Sequence, residues 1–120
     1  MKILIVDDSK AMRMIVKRTL RQAGFGDHEI VEAEDGVLGL EQVNTESPDI
    51  VLSDWNMPNM SGIEFLRALR AAGNDIHFGF VTSESSGEMW REANSAGALF
   101  LITKPFTSDS FKRELSGVIS

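Results

Sequence analysis

The chain lacks cysteine entirely, so disulfide bonds and thiolate metal sites are excluded. It also lacks an excess of positive charge, because 12 lysines and arginines stand against 18 acids and leave a net charge of −6. Proteins that bind a nucleic-acid backbone need a basic stripe, which this composition does not supply. No apolar run could span a bilayer, and the start MKILIVDD has only four apolar residues before two acids, too few for a signal peptide. These absences predict a cytoplasmic protein without a membrane or nucleic-acid partner.

The composition that remains is that of an ordinary globular protein. Of the 120 residues, 42% are hydrophobic and 25% are charged. This length suits one domain built around one core. No internal repeat, linker or low-complexity stretch divides the chain. We therefore expect a single domain over residues 1–120, and we expect it to be a monomer.

Short apolar runs alternate with longer segments that have the spacing of amphipathic helices. In the first long segment, for example, Met12, Ile15 and Val16 recur at i, i+3 and i+4. A residue that favours the N-cap position precedes each long segment, and these predicted caps are Ser9, Asp35, Ser61, Ser85 and Thr107. The short runs are predicted strands at residues 2–6, 29–33, 49–53, 76–82 and 99–103.

The alternation of strand and helix, repeated five times, predicts an α/β fold. Near-continuous apolar strands indicate a parallel sheet covered by helices on both faces. Right-handed crossovers then lead to a doubly wound five-stranded sheet. Such sheets bind their ligands outside the carboxyl ends of the strands, so the residues at those ends are the candidate functional residues.

Polar residues stand at four of these predicted strand ends: Asp7, Asp8, Asp54, Thr82 and Lys104. Each has an ordinary structural explanation when taken alone, such as a helix N-terminus, a turn or a solvated surface charge. Together on one edge, three carboxylates would repel one another and raise their pKa values unless a cation lay among them. Oxygen ligands in an incomplete cage suit Mg²⁺, which keeps several waters and completes its shell with phosphate.

A lysine and a hydroxyl beside these acids are what a transferred phosphoryl group needs for charge neutralisation and positioning. Asp54 is central among the strand ends, and a carboxylate can act as the nucleophile that forms an aspartyl phosphate. The pattern therefore predicts a site that accepts a phosphoryl group at Asp54.

Four stretches, ILIVDDS, DIVLSDWNMPNMSG, FVTSE and LITKPF, together resemble the receiver domain of bacterial two-component response regulators. The similarity runs from Met1 to about Ser120, and it is strongest to the stand-alone regulators of chemotaxis. It implies a flavodoxin-like (βα)5 three-layer sandwich with strand order 2-1-3-4-5. It also implies a signalling protein rather than an enzyme, although such a domain catalyses its own phosphorylation and dephosphorylation.

The resemblance implies a role for each residue of the site. Asp54 would take the phosphoryl group from a phosphohistidine of a sensor histidine kinase. Asp8 and Asp54 would hold Mg²⁺ directly, the backbone carbonyl of Asn56 would be a further ligand, and Asp7 would act through water. Lys104 would pair with the phosphate, and its bond to the following proline is cis in the family.

The resemblance also implies an output surface and its partners. Thr82 would move to hydrogen-bond the phosphate and so reshape the surface of helix 4, strand 5 and helix 5, where Leu101, Trp90 and Phe106 are the candidate contact residues. The partner there would be a target protein such as a flagellar motor switch component. Asn56 and Glu84 would tune the lifetime of the phosphate, and a phosphatase would be a further partner.

The chain departs from the family pattern three residues before Lys104, where receivers place tyrosine or phenylalanine and this sequence has Leu101. The neighbouring Phe100 should point to the opposite face of the sheet, since strand side chains alternate. We therefore expect the output surface to respond through Leu101 packing or Trp90. Trp55 either packs within its loop or, as we prefer, is an exposed neighbour that senses the site.

Other functions remain open from the residues alone. A dehalogenase-like aspartyl-phosphate hydrolase would need an acid where Asn56 stands. A flavodoxin-like FMN carrier would need a loop rich in Ser, Thr and Gly after the first strand, where this chain has DDSKAM. A receiver-like scaffold that works without phosphorylation, and the receiver part of a larger regulator with an output domain, are the remaining alternatives.

Overall fold

The structure, a computed structural model, describes residues 1–84 and 86–118. Its parallel sheet has the order β2-β1-β3-β4-β5, which confirms the doubly wound topology and the strand order. The strands of these described residues are β1 (Lys2–Val6), β2 (Glu29–Ala33), β3 (Ile50–Ser53), β4 (His77–Thr82) and β5 (Phe100–Thr103). The first two match the predicted bounds, and each of the others begins one residue later than predicted.

Helices connect the strands, and most begin at the predicted caps. They are α1 (Lys10–Leu20), which continues into a π-helical turn (Arg21–Phe25), α2 (Gly36–Glu46), α3 (Gly62–Ala71), α4 (Gly87–Ser95) and α5 (Ser108–Leu115). The side chains of Ser9, Asp35, Ser61 and Thr107 accept the expected hydrogen bonds from backbone N–H groups. Ser86 caps α4, whereas the predicted cap Ser85 lies outside the described residues.

The sheet separates two apolar cores, as the alternation of strand side chains requires. Ile3 and Ile5 of β1 point to the side of α1 and α5, and Leu4 and Val6 point to the side of α2 and α3. This arrangement is the three-layer sandwich that the sequence predicted. None of the helices in residues 1–84 and 86–118 is long and apolar enough to cross a membrane.

The side chains of β5 also alternate as predicted. Phe100 enters the core beside α1 and α5, whereas Leu101 packs against the opposite core. Phe100 pairs with Gly79 of β4, and a Cβ added to Gly79 would lie 2.1 Å from the Phe100 ring. Glycine is therefore required inside β4 because the aromatic ring occupies the space of a side chain.

Candidate functional site

Three carboxylates meet at the carboxyl edge of the sheet. Asp7 and Asp8 directly follow β1, and Asp54 directly follows the neighbouring strand β3. One carboxylate oxygen of each residue lies within 4.8 Å of those of the other two. Asp7 is only 4% exposed, Asp54 is partly buried and Asp8 is exposed. The cluster is therefore open to solvent on the Asp8 side.

Lys104, which follows β5, faces these acids from the other side. Its Nζ lies 3.1 Å from Asp7 Oδ2 and 3.5 Å from Asp54 Oδ2, and its side chain is largely buried. The Lys104–Pro105 peptide bond is cis, as the resemblance implied. One ammonium group against three carboxylates leaves the cluster with a negative balance, so a further cation would be stabilised there.

The position of Asp54 changes the acidity of its carboxyl group. Burial raises the pKa of Asp54, Lys104 lowers it and the charge of Asp7 raises it, and the net direction is upward from the ordinary value. Its Oδ1 accepts a hydrogen bond of 2.7 Å from the Trp55 N–H, while its Oδ2 points toward Lys104. Asp54 therefore has one oxygen held by the backbone and one directed into the cluster.

The remaining site residues lie at the ends of the same strands. Thr82 ends β4, beside β3, and is fully buried. Its Oγ1 accepts a hydrogen bond of 3.4 Å from the Glu84 N–H, which is long and therefore weak. Asn56 and Glu84 follow Asp54 and Thr82 by two residues, and both are exposed. The structure thus brings the five strand-end residues to one edge and leaves Asn56 and Glu84 open to solvent.

Two residues that sequence reasoning missed hold the backbone of Asp54. The Ser53 hydroxyl donates a hydrogen bond of 2.8 Å to the Asp54 carbonyl oxygen. A Cβ added to Gly62 would lie 2.1 Å from that same oxygen, so the first residue of α3 approaches Asp54 as closely as a glycine allows. The Gly62 N–H also donates to the Trp55 carbonyl oxygen at 2.7 Å. Gly62 belongs to the DIVLSDWNMPNMSG stretch, but its close approach to the Asp54 carbonyl oxygen could not be read from the sequence.

The prediction that Trp55 is exposed was wrong. Trp55 is 9% exposed, and its indole ring packs on Phe80 with a centroid separation of 4.7 Å. The hydrogen bond from Gly62 folds the loop between β3 and α3 back onto the sheet, which turns the indole toward the core beside α2 and α3. Trp55 therefore touches the site through its backbone and the core through its side chain.

The predicted switch residues occupy two different places. Leu101 and Trp90 line a groove of about 370 Å³ across the β5 edge, together with Leu99. Leu101 is partly buried there and Trp90 is 38% exposed. Phe106 is instead partly buried and stacks on Phe111 with a centroid separation of 4.8 Å, against the core beside α1 and α5. Only Leu101 and Trp90, among these three, contribute to this groove.

The donor set at the acidic cluster fits a small divalent cation. All its donors are carboxylate oxygens, which Mg²⁺ prefers, and its open side leaves room for water and phosphate. The oxygens of Asp7 already accept hydrogen bonds from the Ser9 N–H at 2.9 Å and from Lys104 Nζ at 3.1 Å. The three carboxylates would hold the ion together, with the exposed Asp8 on the open side and the buried Asp7 innermost.

Fold and site together define the class: a doubly wound α/β domain with an acidic pocket and a lysine at the carboxyl edge of its sheet. Residues 3–116 match the family described as response regulator receiver domain, and the chain belongs to that family. Receiver domains use Mg²⁺ at an acidic pocket, and this chain has a cluster of three acids, Asp7, Asp8 and Asp54, at the corresponding edge of its sheet.

Named relatives cover nearly the whole chain. It is 40% identical to the chemotaxis protein CheY of Pseudomonas aeruginosa, over 98% of this chain and 95% of that one. It is 42% identical to the chemotaxis protein CheY-3 of Vibrio cholerae, over 98% and 91%.

Solved structures of receiver domains have the same fold as this chain. The structure of Vibrio cholerae chemotaxis protein CheY4 is similar with a TM-score of 0.85 at 34% identity, over 98% of both chains. The receiver domain of Francisella response regulator 1452 has a TM-score of 0.86 at 27% identity, over 98% of this chain and 94% of that one.

Proposed function

We propose that the protein is a phosphorylation-dependent signalling switch in which Asp54 accepts a phosphoryl group from a phosphohistidine of a sensor histidine kinase. The observation that carries this proposal is the convergence of two further acids and Lys104 on a partly buried Asp54. The change in charge at Asp54 then alters the surface formed by α4, β5 and α5, which binds a target protein.

The transfer is a substitution at phosphorus. Asp54 Oδ2 forms a bond to phosphorus, the bond from phosphorus to the histidine nitrogen breaks, and its electron pair leaves with the imidazole. Lys104 lies close enough to Asp54 Oδ2 to neutralise the oxygens of the incoming group. Burial opposes ionisation of Asp54, and Lys104 offsets part of this by favouring the carboxylate. Bound Mg²⁺ would supply additional positive charge for the phosphoryl oxygens and keep the carboxylates ionised.

Thr82 is the residue through which phosphorylation of Asp54 would affect the groove at β5. Within the part of the chain that the structure describes, its Oγ1 is held only by the weak hydrogen bond that it accepts from the Glu84 N–H, so the side chain can turn and donate its hydroxyl proton to a phosphoryl oxygen. Thr82 pairs with Thr103 of β5, and Phe80 on the same face of β4 pairs with Leu101. A shift at the end of β4 would therefore reach the groove through Leu101 and Trp90, whose side chains line it.

Asn56 and Glu84 are proposed to set the lifetime of the phosphate. Both are exposed and follow the acceptor Asp54 and the hydroxyl of Thr82 by two residues. The attacking water and a phosphatase would approach along this open side of the site. The backbone carbonyl of Asn56 is the further ligand proposed for Mg²⁺.

The pathway proposed is chemotaxis or motility control, because relatives at 40% and 42% identity are named chemotaxis proteins. The target would then be a component such as the flagellar motor switch. We propose a cytoplasmic monomer with one receiver domain, which acts as a signalling protein and catalyses only its own phosphorylation and dephosphorylation.

Intact mass spectrometry after incubation with Mg²⁺ and acetyl phosphate tests the proposal. We expect the mass to increase by one phosphoryl group, and we expect Asp54→Asn to abolish the increase. Asp109→Asn is the matched control, because Asp109 is an exposed acid on α5 and its variant should still be phosphorylated. An unmodified wild-type protein, or a phosphorylated Asp54→Asn variant, would refute the proposal and favour a scaffold that works without phosphorylation.

A further inference from the structure

Arg13 is a buried arginine that contacts the acidic cluster through the backbone. It lies in the first turn of α1 and is only 8% exposed. Its Nη1 donates a hydrogen bond of 2.6 Å to the carbonyl oxygen of Asp7. That carbonyl belongs to the peptide unit that joins Asp7 to Asp8, so Arg13 restrains the backbone between the two acids.

Glu32 of β2 holds Arg13 in place. Arg13 Nε lies 2.9 Å from Glu32 Oε1, and Lys17 Nζ lies 3.0 Å from Glu32 Oε2. Burial alone would raise the pKa of Glu32, but Lys17 and Arg13 outweigh it and lower the pKa below its ordinary value. Glu32 is therefore charged at neutral pH, and it fixes the planar guanidinium group with the Nη1 donor directed at Asp7.

The other bonds to Asp7 hold its N–H or its carboxylate, and the one from the Ser9 N–H also closes an Asx turn around this peptide unit. The Asp7 N–H donates to the Ala33 carbonyl oxygen at 3.1 Å, which belongs to the sheet edge. The Asp7 carboxylate accepts from the Ser9 N–H and from Lys104. Within residues 1–84 and 86–118, Arg13 is the residue that donates a hydrogen bond to the Asp7 carbonyl oxygen. Because the Asp8 side chain is exposed, its direction depends on the orientation of the preceding peptide unit.

We propose that Arg13 is a positioning residue for Mg²⁺: it fixes the Asp7–Asp8 peptide unit so that the Asp8 carboxylate faces Asp54. The proposal rests on the proposed function, which supplies the reason for a cation at this cluster. Residues that orient metal ligands without touching the metal typically contribute about 10- to 100-fold in affinity. Arg13 is expected to act within that range.

Whether replacing Arg13 weakens or strengthens Mg²⁺ binding distinguishes a positioning role from a purely electrostatic one. Arg13 carries a positive charge close to the cluster, so its removal would strengthen Mg²⁺ binding if charge alone mattered. Loss of the restraint on the peptide unit would weaken binding instead. A purely structural role for Arg13 would lower the stability of the fold and leave the Mg²⁺ affinity of the folded protein unchanged.

Calorimetric titration of the full chain with Mg²⁺ at neutral pH distinguishes these outcomes. We expect Arg13→Gln to weaken Mg²⁺ binding by about tenfold or more. Arg18→Gln is the matched control, since Arg18 is an exposed arginine on the same helix and its loss removes the same charge. That variant should bind Mg²⁺ with the wild-type affinity or slightly more tightly.

Two further variants serve if Arg13→Gln does not fold. Arg13→Lys keeps the charge but cannot make both hydrogen bonds, and Glu32→Gln weakens the hold on the guanidinium group. Both should weaken Mg²⁺ binding in the same direction as Arg13→Gln. In metal-free protein, amide hydrogen exchange at Asp8 and Ser9 should also be faster in these variants than in Arg18→Gln.

The outcomes identify which proposal fails. If the wild type binds Mg²⁺ and is phosphorylated but the Arg13 and Glu32 variants bind as well or better, the positioning role is overturned and the switch function stands. If the wild type neither binds Mg²⁺ nor is phosphorylated, the switch function fails. Unchanged amide exchange at Asp8 in the Arg13 variants would also overturn the restraint itself, whatever the protein does with the metal.

Discussion

Replacing Gly62 with alanine tests how closely α3 supports the phosphoacceptor. Gly62 and Gly87 are both the first residues of helices that follow a serine N-cap, so they form a matched pair. Neither has the positive φ that favours glycine elsewhere in the chain, so alanine fits both backbones. The difference between them is steric: a Cβ at Gly62 lies 2.1 Å from the Asp54 carbonyl oxygen, whereas at Gly87 the nearest atom is the end of Arg91, at 3.6 Å.

The expected cost follows from this contact. Real Cβ contacts are essentially never below 3.0 Å, so α3 and the Asp54 backbone would have to separate by about 1 Å. The added atom would also lie 2.8 Å from the buried Phe80 ring, which limits how the strain can relax. Overpacking of this kind costs about 1–3 kcal/mol, and because two groups are contacted we expect Gly62→Ala to cost about 2–3 kcal/mol. Gly87→Ala should be neutral or stabilising, by up to about 0.5 kcal/mol.

Urea denaturation and phosphorylation kinetics provide the measurements. With a slope of about 1–3 kcal/mol per molar urea, the Gly62→Ala midpoint should fall by about 0.7–3 M. A shift of about 1 Å at a reacting group can reduce a rate by about 100-fold, so transfer to Asp54 from acetyl phosphate should slow by up to that factor. If Gly62→Ala and Gly87→Ala have the same stability and the same rate of phosphorylation, the claim that the start of α3 supports the Asp54 backbone is refuted.

Three more predictions concern the same edge of the sheet. Lys104→Gln removes the ammonium group beside Asp7 and Asp54, so Mg²⁺ titration should show tighter binding while phosphorylation slows; weaker Mg²⁺ binding would contradict the reasoning. Hydrogen bonds from the Leu38 N–H and the Asn59 side chain lower the pKa of Asp35. Urea denaturation should therefore show that the advantage of wild type over Asp35→Asn is present above about pH 4 and is lost as the pH falls through the folded-state pKa. Leu101→Tyr should alter phosphorylation-dependent binding of the target in a pull-down; unchanged binding would show that this position is not part of the switch.

Much of the fold could be predicted because its signals are local. Hydrophobic spacing located the strands to within one residue, since each strand is a largely apolar stretch that a polar residue ends or directly follows. Capping residues located most helix starts, since Ser61 and Asp35 satisfy backbone N–H groups within the next turn. For α4 the predicted cap was Ser85, but the cap is the adjacent Ser86, because spacing alone does not distinguish two neighbouring serines.

Contacts between distant segments were not predictable in the same way. The burial of Trp55 depends on Phe80, which lies on another strand, and on the hydrogen bond from Gly62 that turns the loop inward. Gly79 could not be explained until Phe100 was seen to occupy the space above it. No spacing rule indicates either contact, because both depend on how separate elements pack.

The sequence by itself determined the alternation of strands and helices and, with it, which residues end the strands. A parallel sheet must place those ends together, so the convergence of Asp7, Asp54 and Lys104 followed from chain order and hydrophobic pattern. The tertiary structure alone decided how these groups are held, through the reach of Arg13 to a backbone carbonyl and the approach of Gly62 to another. The physical reason is range: strand and helix signals act over a few residues, whereas these contacts join segments that only packing brings within a few ångströms.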